Sequence, residues 1–407
     1  MRTLLLAASV VAVLSAQTSQ RTIWVLSAEP KPSITQFDAL NFNVLRTVSV
    51  PKQAVDHPEF FSVNRNGQLL FVLPSGVQLA DGVETSDRIW YSKNTAMVPF
   101  PRQDTDERRR DWFLDAAADG LYVLEGRDTK TKDADGNETT ITSATQLLRG
   151  TPDGKLATVV TLPALPLCKC GTGVCSETCP QWTVWAPENG VGDFFLATKF
   201  IEGQLQSDYQ ETLLYRRAGG WRSTTLSEVM ESPADTSADG ETLLTATFDS
   251  GCCGWVNESS DQLRQLRNGK STVVFDEFKR YDNSNYDVSF SASNAKLSPS
   301  GAQIAYTITA SQKPDDDIRL SADGKDNTAE LARVKATIAA VPIIEIVNAA
   351  DPSRVIATIP RAELAGWLSE SELLVVQDGR LVTYSASGKK GRQSSIEVRS
   401  AASVFLR

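Results

Sequence analysis

The run Leu297-Ser298-Pro299-Ser300-Gly301-Ala302-Gln303-Ile304-Ala305-Tyr306 decides how this chain is read. Pro299 presets the backbone angle that a tight turn needs, and Gly301 accepts the positive φ that other residues resist. Beyond the turn, Ile304 and Tyr306 fall on one side and Gln303 and Ala305 on the other, the period of two expected of a strand. The phrase recurs as Ser62-Val63-Asn64-Arg65-Asn66-Gly67-Gln68-Leu69-Leu70-Phe71, Ala118-Asp119-Gly120-Leu121-Tyr122-Val123, Thr151-Pro152-Asp153-Gly154-Lys155-Leu156-Ala157 and Ser237-Ala238-Asp239-Gly240-Glu241-Thr242-Leu243-Leu244. A looser copy around Ser369-Glu370-Ser371 has lost its glycine. The turn glycines at 67, 120, 154, 240 and 301 are spaced by 53, 34, 86 and 61 residues, and the widest gap leaves room for one more copy around Gly190 to Thr198.

Short strands and polar turns repeating every 40–55 residues or so are the pattern of a β-propeller. The wording resembles the TolB-like and YVTN-type (WD40-like) propeller repeats, whose strands follow an S-P-D-G turn. His57-Pro58-Glu59-Phe60-Phe61-Ser62-Val63 is similar to the YVTN version. The expectation is an all-β chain forming a single propeller over residues 17–407, with seven blades and with six or eight as alternatives. Strands from both ends, Ile23 to Leu26 and the last ten residues, are the candidates for closing it, because an open edge is a liability.

Arg2, an apolar run from Leu4 to Leu14 and small residues ending at Ala16 read as a signal peptide over residues 1–16. No later run reaches the roughly 18–20 apolar residues of a membrane-spanning helix. The expected location is therefore secreted or periplasmic. The formal charge is −9, and removing Arg2 makes it −10. The one basic cluster, Arg108-Arg109-Arg110, is flanked by Asp104, Asp106, Glu107 and Asp111 and reads as a solvated loop. This balance argues against nucleic-acid partners and anionic membrane surfaces.

Six cysteines in an exported chain point to three disulfides. Cys168, Cys170, Cys175 and Cys179 crowd one loop at 168–179, and Cys252 and Cys253 are adjacent. Six cysteines allow fifteen connectivities, and spacing does not choose among them. A zinc or iron–sulfur site normally shows paired C-x-x-C spacing, which is missing here. Vicinal cysteines occur near the quinone of the quinoprotein alcohol dehydrogenases, and Cys252-Cys253 with Trp255 is similar to them in that pairing only.

Asp133, Asp135 and Asn137 alternate like the first ligands of a calcium loop, but Gly136 sits fourth rather than sixth and the twelfth residue is Ala144. A plain hairpin turn is the favoured reading. Asn137-Glu138-Thr139 and Asn257-Glu258-Ser259 match the glycosylation pattern, without meaning in a bacterial chain. Residues 313–335 are polar and read as an exposed insertion, with room for a short helix over Ala329 to Ala339. His57 is the only histidine, which removes a Ser-His-Asp triad unless it serves itself. Trp182, Trp185 and Trp255 are candidates for a ligand-binding face. The functional expectation is a monomeric, non-catalytic module in the cell envelope that binds a protein partner or small ligand and needs no cofactor. The alternative is a propeller enzyme, a lactonase or a quinone- or metal-dependent oxidoreductase.

Overall fold

The computed structural model describes residues 21–64, 66–73, 89–93, 96–100, 110–114, 121–132, 138–150, 154–161, 182–185, 194–200, 210–216, 222–225, 231–237, 241–247, 262–281, 285–314, 316–321 and 324–407. These are almost all β, with 28 strands, one helix of three turns at Thr328–Ala340, and short helical segments elsewhere.

The strands run in sequential fours. Five antiparallel four-stranded sheets occupy 110–161, 182–225, 231–276, 290–360 and 363–397. An eight-stranded sheet starts with Val404–Leu406, continues through Thr22–Ser27, Ser33–Asp38 and Val44–Ser49, and then crosses a single parallel pair, Ser49 with Ala96. Beyond that pair come Ala96–Pro99, Ile89–Lys93, Leu69–Val72 and Phe61–Val63. The first strand thus meets the last, with Ile23 opposite Leu406, Trp24 opposite Phe405 and Val25 opposite Val404.

Alternation along the strands sends successive side chains to two different neighbours. In Glu372–Gln377, Leu373 and Val375 pack against Ile344, Ile346 and Ile359 of the preceding sheet. Leu374 and Val376 instead join Ile23, Val25 and Leu406 of the sheet that carries both chain ends. The same division sends Trp24 and Leu26 toward Phe61, Leu69 and Phe71. Leu70, between those last two, faces Trp112, Leu121 and Val123. In Gln303–Ala310, Ile304, Tyr306 and Ile308 join Leu263 and Phe275, while Ala305 faces the other way onto Leu364 and Trp367. Sheets buried on both faces read as near-continuous apolar runs, which is why Ile304 to Ile308 contains no solvated alternate. Each fully buried Ile, Leu or Phe stabilises the fold by about 1.5–3 kcal/mol before entropy is charged.

The recurring turn has one construction. The Ser298 backbone N–H donates to the Gln303 carbonyl at 2.9 Å, and Gly301 N–H donates to the Ser298 carbonyl at 2.8 Å. The Ser298 hydroxyl oxygen accepts from Gln303 N at 3.2 Å. Ser237 repeats this with Thr242 N at 3.0 Å, and Asn64 does so through Oδ1 with Gln68 N at 2.9 Å. Gly67 and Gly301 adopt φ of 71° and 72°, as their turn role requires. The phrase around Gly154 lies elsewhere. It connects the third and fourth strands of its sheet, Glu138–Gly150 and Leu156–Thr161, whereas the others join first to second. The true first-to-second connection in 182–225 joins Trp182–Trp185 to Phe194–Phe200, where the wide gap in the glycines had left room.

The polar insertion carries a helix of more than three turns. Its helix spans Thr328–Ala340, with the Asn327 side chain accepting from Glu330 N at 3.2 Å as the cap. Val334 and Ile338, four residues apart, are buried beside Tyr286, Val288, Ile308 and Ile343.

Candidate functional site

A cleft of about 560 Å³ opens between the inserted helix and the 363–397 sheet, lined by Ala336, Ala339, Ala340, Pro360, Arg361, Gln377, Asp378, Tyr384 and Lys390. Three features of the chain build it. The helix anchors one stripe, Glu330, Val334 and Ile338, into the molecule. Glu330 there accepts from Asn285 N at 3.2 Å and Asn285 Nδ2 at 2.7 Å. Ala336, Ala339 and Ala340, spaced as neighbours on a different stripe, form a wall of small side chains that leaves the space open.

The second feature is the link between sheets. Arg361 N–H donates to Ala340 O and Ala362 N–H to Pro342 O, both at 2.9 Å, so the helix end and the link are stitched together. Arg361 sits at φ 54°, a left-handed conformation that costs a non-glycine residue about 1–3 kcal/mol and persists only where its surroundings impose it. The third is the hairpin Gln377-Asp378-Gly379-Arg380, in which Asp378 (φ 50°) and Gly379 (φ 69°) supply the two positive angles of a tight two-residue turn. The floor is a hydrogen-bonded relay, in which the Tyr384 hydroxyl donates to Gln377 Oε1 at 2.9 Å and Gln377 Nε2 donates to Pro360 O at 3.2 Å. The cleft's ionisable and hydroxyl-bearing side chains are Arg361, Asp378, Tyr384 and Lys390.

A second polar cluster lies in the groove between the 231–276 and 290–360 sheets. Arg280, from the short helix Glu277–Tyr281, forms an ion pair with Glu345, and the Tyr306 hydroxyl donates to the same carboxylate oxygen at 2.8 Å. Burial pushes the Tyr306 and Tyr281 phenols well above the ordinary tyrosine value, and the Glu345 charge pushes the same way. Burial works against the Arg280 charge, but the hydrogen bond and charge of Glu345 outweigh it and raise its pKa. The cluster ties Arg280 of the Glu277–Tyr281 link to two strands of the 290–360 sheet.

His57 takes a local role, with Nδ1 3.2 Å from Glu59 Oε1 and its ring 6.0 Å from Phe60. Trp182 and Trp185 lie at the two ends of one strand, Trp182–Trp185, and their side chains fall outside the description. Trp255, the six cysteines and Asp133, Asp135 and Asn137 lie outside the described residues. None of the cleft residues was singled out in the sequence.

No protein-family model matches the chain, and no curated protein matches it. Among solved structures, similar folds include an oligogalacturonate lyase in complex with manganese (13% identity, 91% of this chain and 84% of that one, TM-score 0.42). Another is the β-propeller domain of the Trilobed protease from Pyrococcus furiosus (10% identity, 92% and 94%, TM-score 0.42). A third is AztD from Citrobacter koseri (10% identity, 93% and 95%, TM-score 0.32). At such identities none of them assigns an activity to this chain.

Proposed function

We propose that the six sheets are seven four-stranded blades of one β-propeller, and that the protein is an exported, non-catalytic binding module of the bacterial envelope. On this reading the eight-stranded sheet is two blades joined at Ser49–Ala96, and the pairing of the first strand with the last closes the ring. Support comes from the 28 strands falling in consecutive fours and from the way alternate side chains of one strand reach the sheets before and after it. The observation that carries the binding role is the open cleft beside Arg361, built by connections from two successive sheets. Residues 1–16 are removed on export, and the six cysteines close three disulfides.

The test is native mass spectrometry of the protein purified unreduced from its own envelope fraction. The reading expects a mass beginning at Gln17, lower by six hydrogens, with a co-purifying partner or small ligand that is lost from the cleft-filling variant Ala339→Trp. An uncleaved cytosolic protein, or a ligand retained fully by that variant, would count against it.

A further inference from the structure

The cleft leaves two cationic hydrogen-bond donors unused. Among the described residues, neither the Arg361 guanidinium nor the Lys390 ammonium has a hydrogen-bond or ion-pair partner, although both line the same space. Gln377 spends its carbonyl oxygen on Tyr384 and one amide hydrogen on Pro360 O. An amide nitrogen carries two hydrogens, so one is left to give. At the helix end, Ala340 O takes Arg361 N–H at 2.9 Å and Thr337 O takes Val341 N–H at 3.1 Å, so two of its last carbonyls are already engaged. Asp378 is the single carboxylate in the lining, so the cleft carries two cations against one anion inside a chain whose formal charge is −9.

We propose that this cleft binds a small anion bearing a carboxylate or a phosphate, held between Arg361 and Lys390 and steadied by the free amide hydrogen of Gln377. The inference rests on the binding-module reading and names its ligand class. A guanidinium offers a planar fork that matches either oxyanion in two parallel hydrogen bonds, and an ammonium adds a compact charge with three donors. The left-handed backbone at Arg361, pinned by its bond to Ala340, fixes where that fork departs from the chain. The alanine wall leaves room for the body of the ligand, at a volume typical of small-molecule sites.

Isothermal titration at low ionic strength with inorganic phosphate and with citrate, in separate arms, tests this on the mature protein. Binding is expected in at least one arm, and the arm identifies the group. Arg361→Asn keeps a residue that tolerates positive φ while removing the cation, and Lys390→Gln removes the other; each is expected to weaken binding about tenfold, the effect of losing one charge-assisted contact. Asp378→Asn, which removes the one carboxylate of the lining, is expected to tighten binding, and added salt to weaken it. The proposal falls if neither anion binds, or if one binds with an affinity that both cation substitutions leave unchanged. A neutral saccharide series that binds, is blocked by Ala339→Trp and ignores positions 361 and 390 would overturn the anion assignment and leave the binding module standing. Loss of every ligand in every arm would sink both.

Discussion

Thr22 and Arg407, 385 residues apart in sequence, exchange two backbone hydrogen bonds: Thr22 N to Arg407 O at 2.6 Å and Arg407 N to Thr22 O at 3.0 Å. Arg407 also donates through its side chain to Val63 O, and Phe405 packs its ring 5.6 Å from that of Phe61. The last four residues therefore hold the first strand, and removing them leaves that strand with an unpaired edge.

Phe405→Ala is expected to cost about 3 kcal/mol in urea unfolding, within the usual range for a buried Phe. Deleting residues 404–407 should lower the melting temperature and shift the protein to higher-mass species in light scattering. A truncated chain that stays monomeric and equally stable would refute the role of this pairing.

The Arg280–Glu345–Tyr306 cluster predicts an alkaline limb. Both phenols are favoured in the neutral form by folding, so their contribution is intact below the ordinary tyrosine pKa of about 10 and is lost as pH rises above it. Ultraviolet titration should leave Tyr281 and Tyr306 un-ionised until the chain unfolds. Tyr306→Phe should cost about 1.5–3 kcal/mol, as for a hydrogen bond to a charged group, and should blunt that limb.

Glu370 reaches back to the preceding sheet, accepting from Ser298 Oγ at 2.8 Å, Ser300 N at 2.8 Å and Ser300 Oγ at 2.5 Å. Its partial burial works to raise its pKa, but these three bonds outweigh that and hold it below the usual carboxylate range. The stabilisation is present above the unfolded value of about 4.3 and is lost as pH falls through the folded one. The urea-midpoint gap between wild type and Glu370→Gln should therefore shrink as the solution is acidified below about pH 4. A gap independent of pH would show that the carboxylate charge plays no part.

Two turn glycines separate backbone strain from crowding. Gly269 has φ +70° with nothing within 4 Å of an added Cβ, so Gly269→Ala should cost only the left-handed penalty of about 1–2 kcal/mol. Gly67 has φ +71°, but there a Cβ would collide with the Arg46 guanidinium, which lies over Trp24 at 4.7 Å and bonds to Gly67 O at 2.7 Å. Gly67→Ala should cost at least about 1 kcal/mol more than its counterpart, since it also displaces that contact. Equal losses in a denaturant series would refute the crowding argument.

The turn phrase was legible because its forces are local. A side-chain acceptor at Asn64, Ser237 or Ser298 caps an N–H where the following strand begins, and Gly67 and Gly301 take the positive angle in their turns. The same locality made Gly154 misleading, since a third-to-fourth turn within one sheet uses the same residues as a first-to-second turn. The inserted helix was half legible. Its position could be read, but not its order, which depends on Val334 and Ile338 meeting Tyr286, Val288 and Ile343. The cleft left no trace in the chain, because its lining comes from separate stretches between Ala336 and Lys390, each ordinary in its own setting.

Periodicity, turn chemistry and the β class were therefore settled in the amino-acid order, since φ preferences and alternation act over a few residues. Tertiary structure alone decided that Leu373 and Leu374 face different neighbouring sheets, that Thr22 meets Arg407, and that Arg361 and Lys390 share one space. Those outcomes depend on which surfaces exclude water together, and a strand buried on both sides carries no mark of the partner on either one.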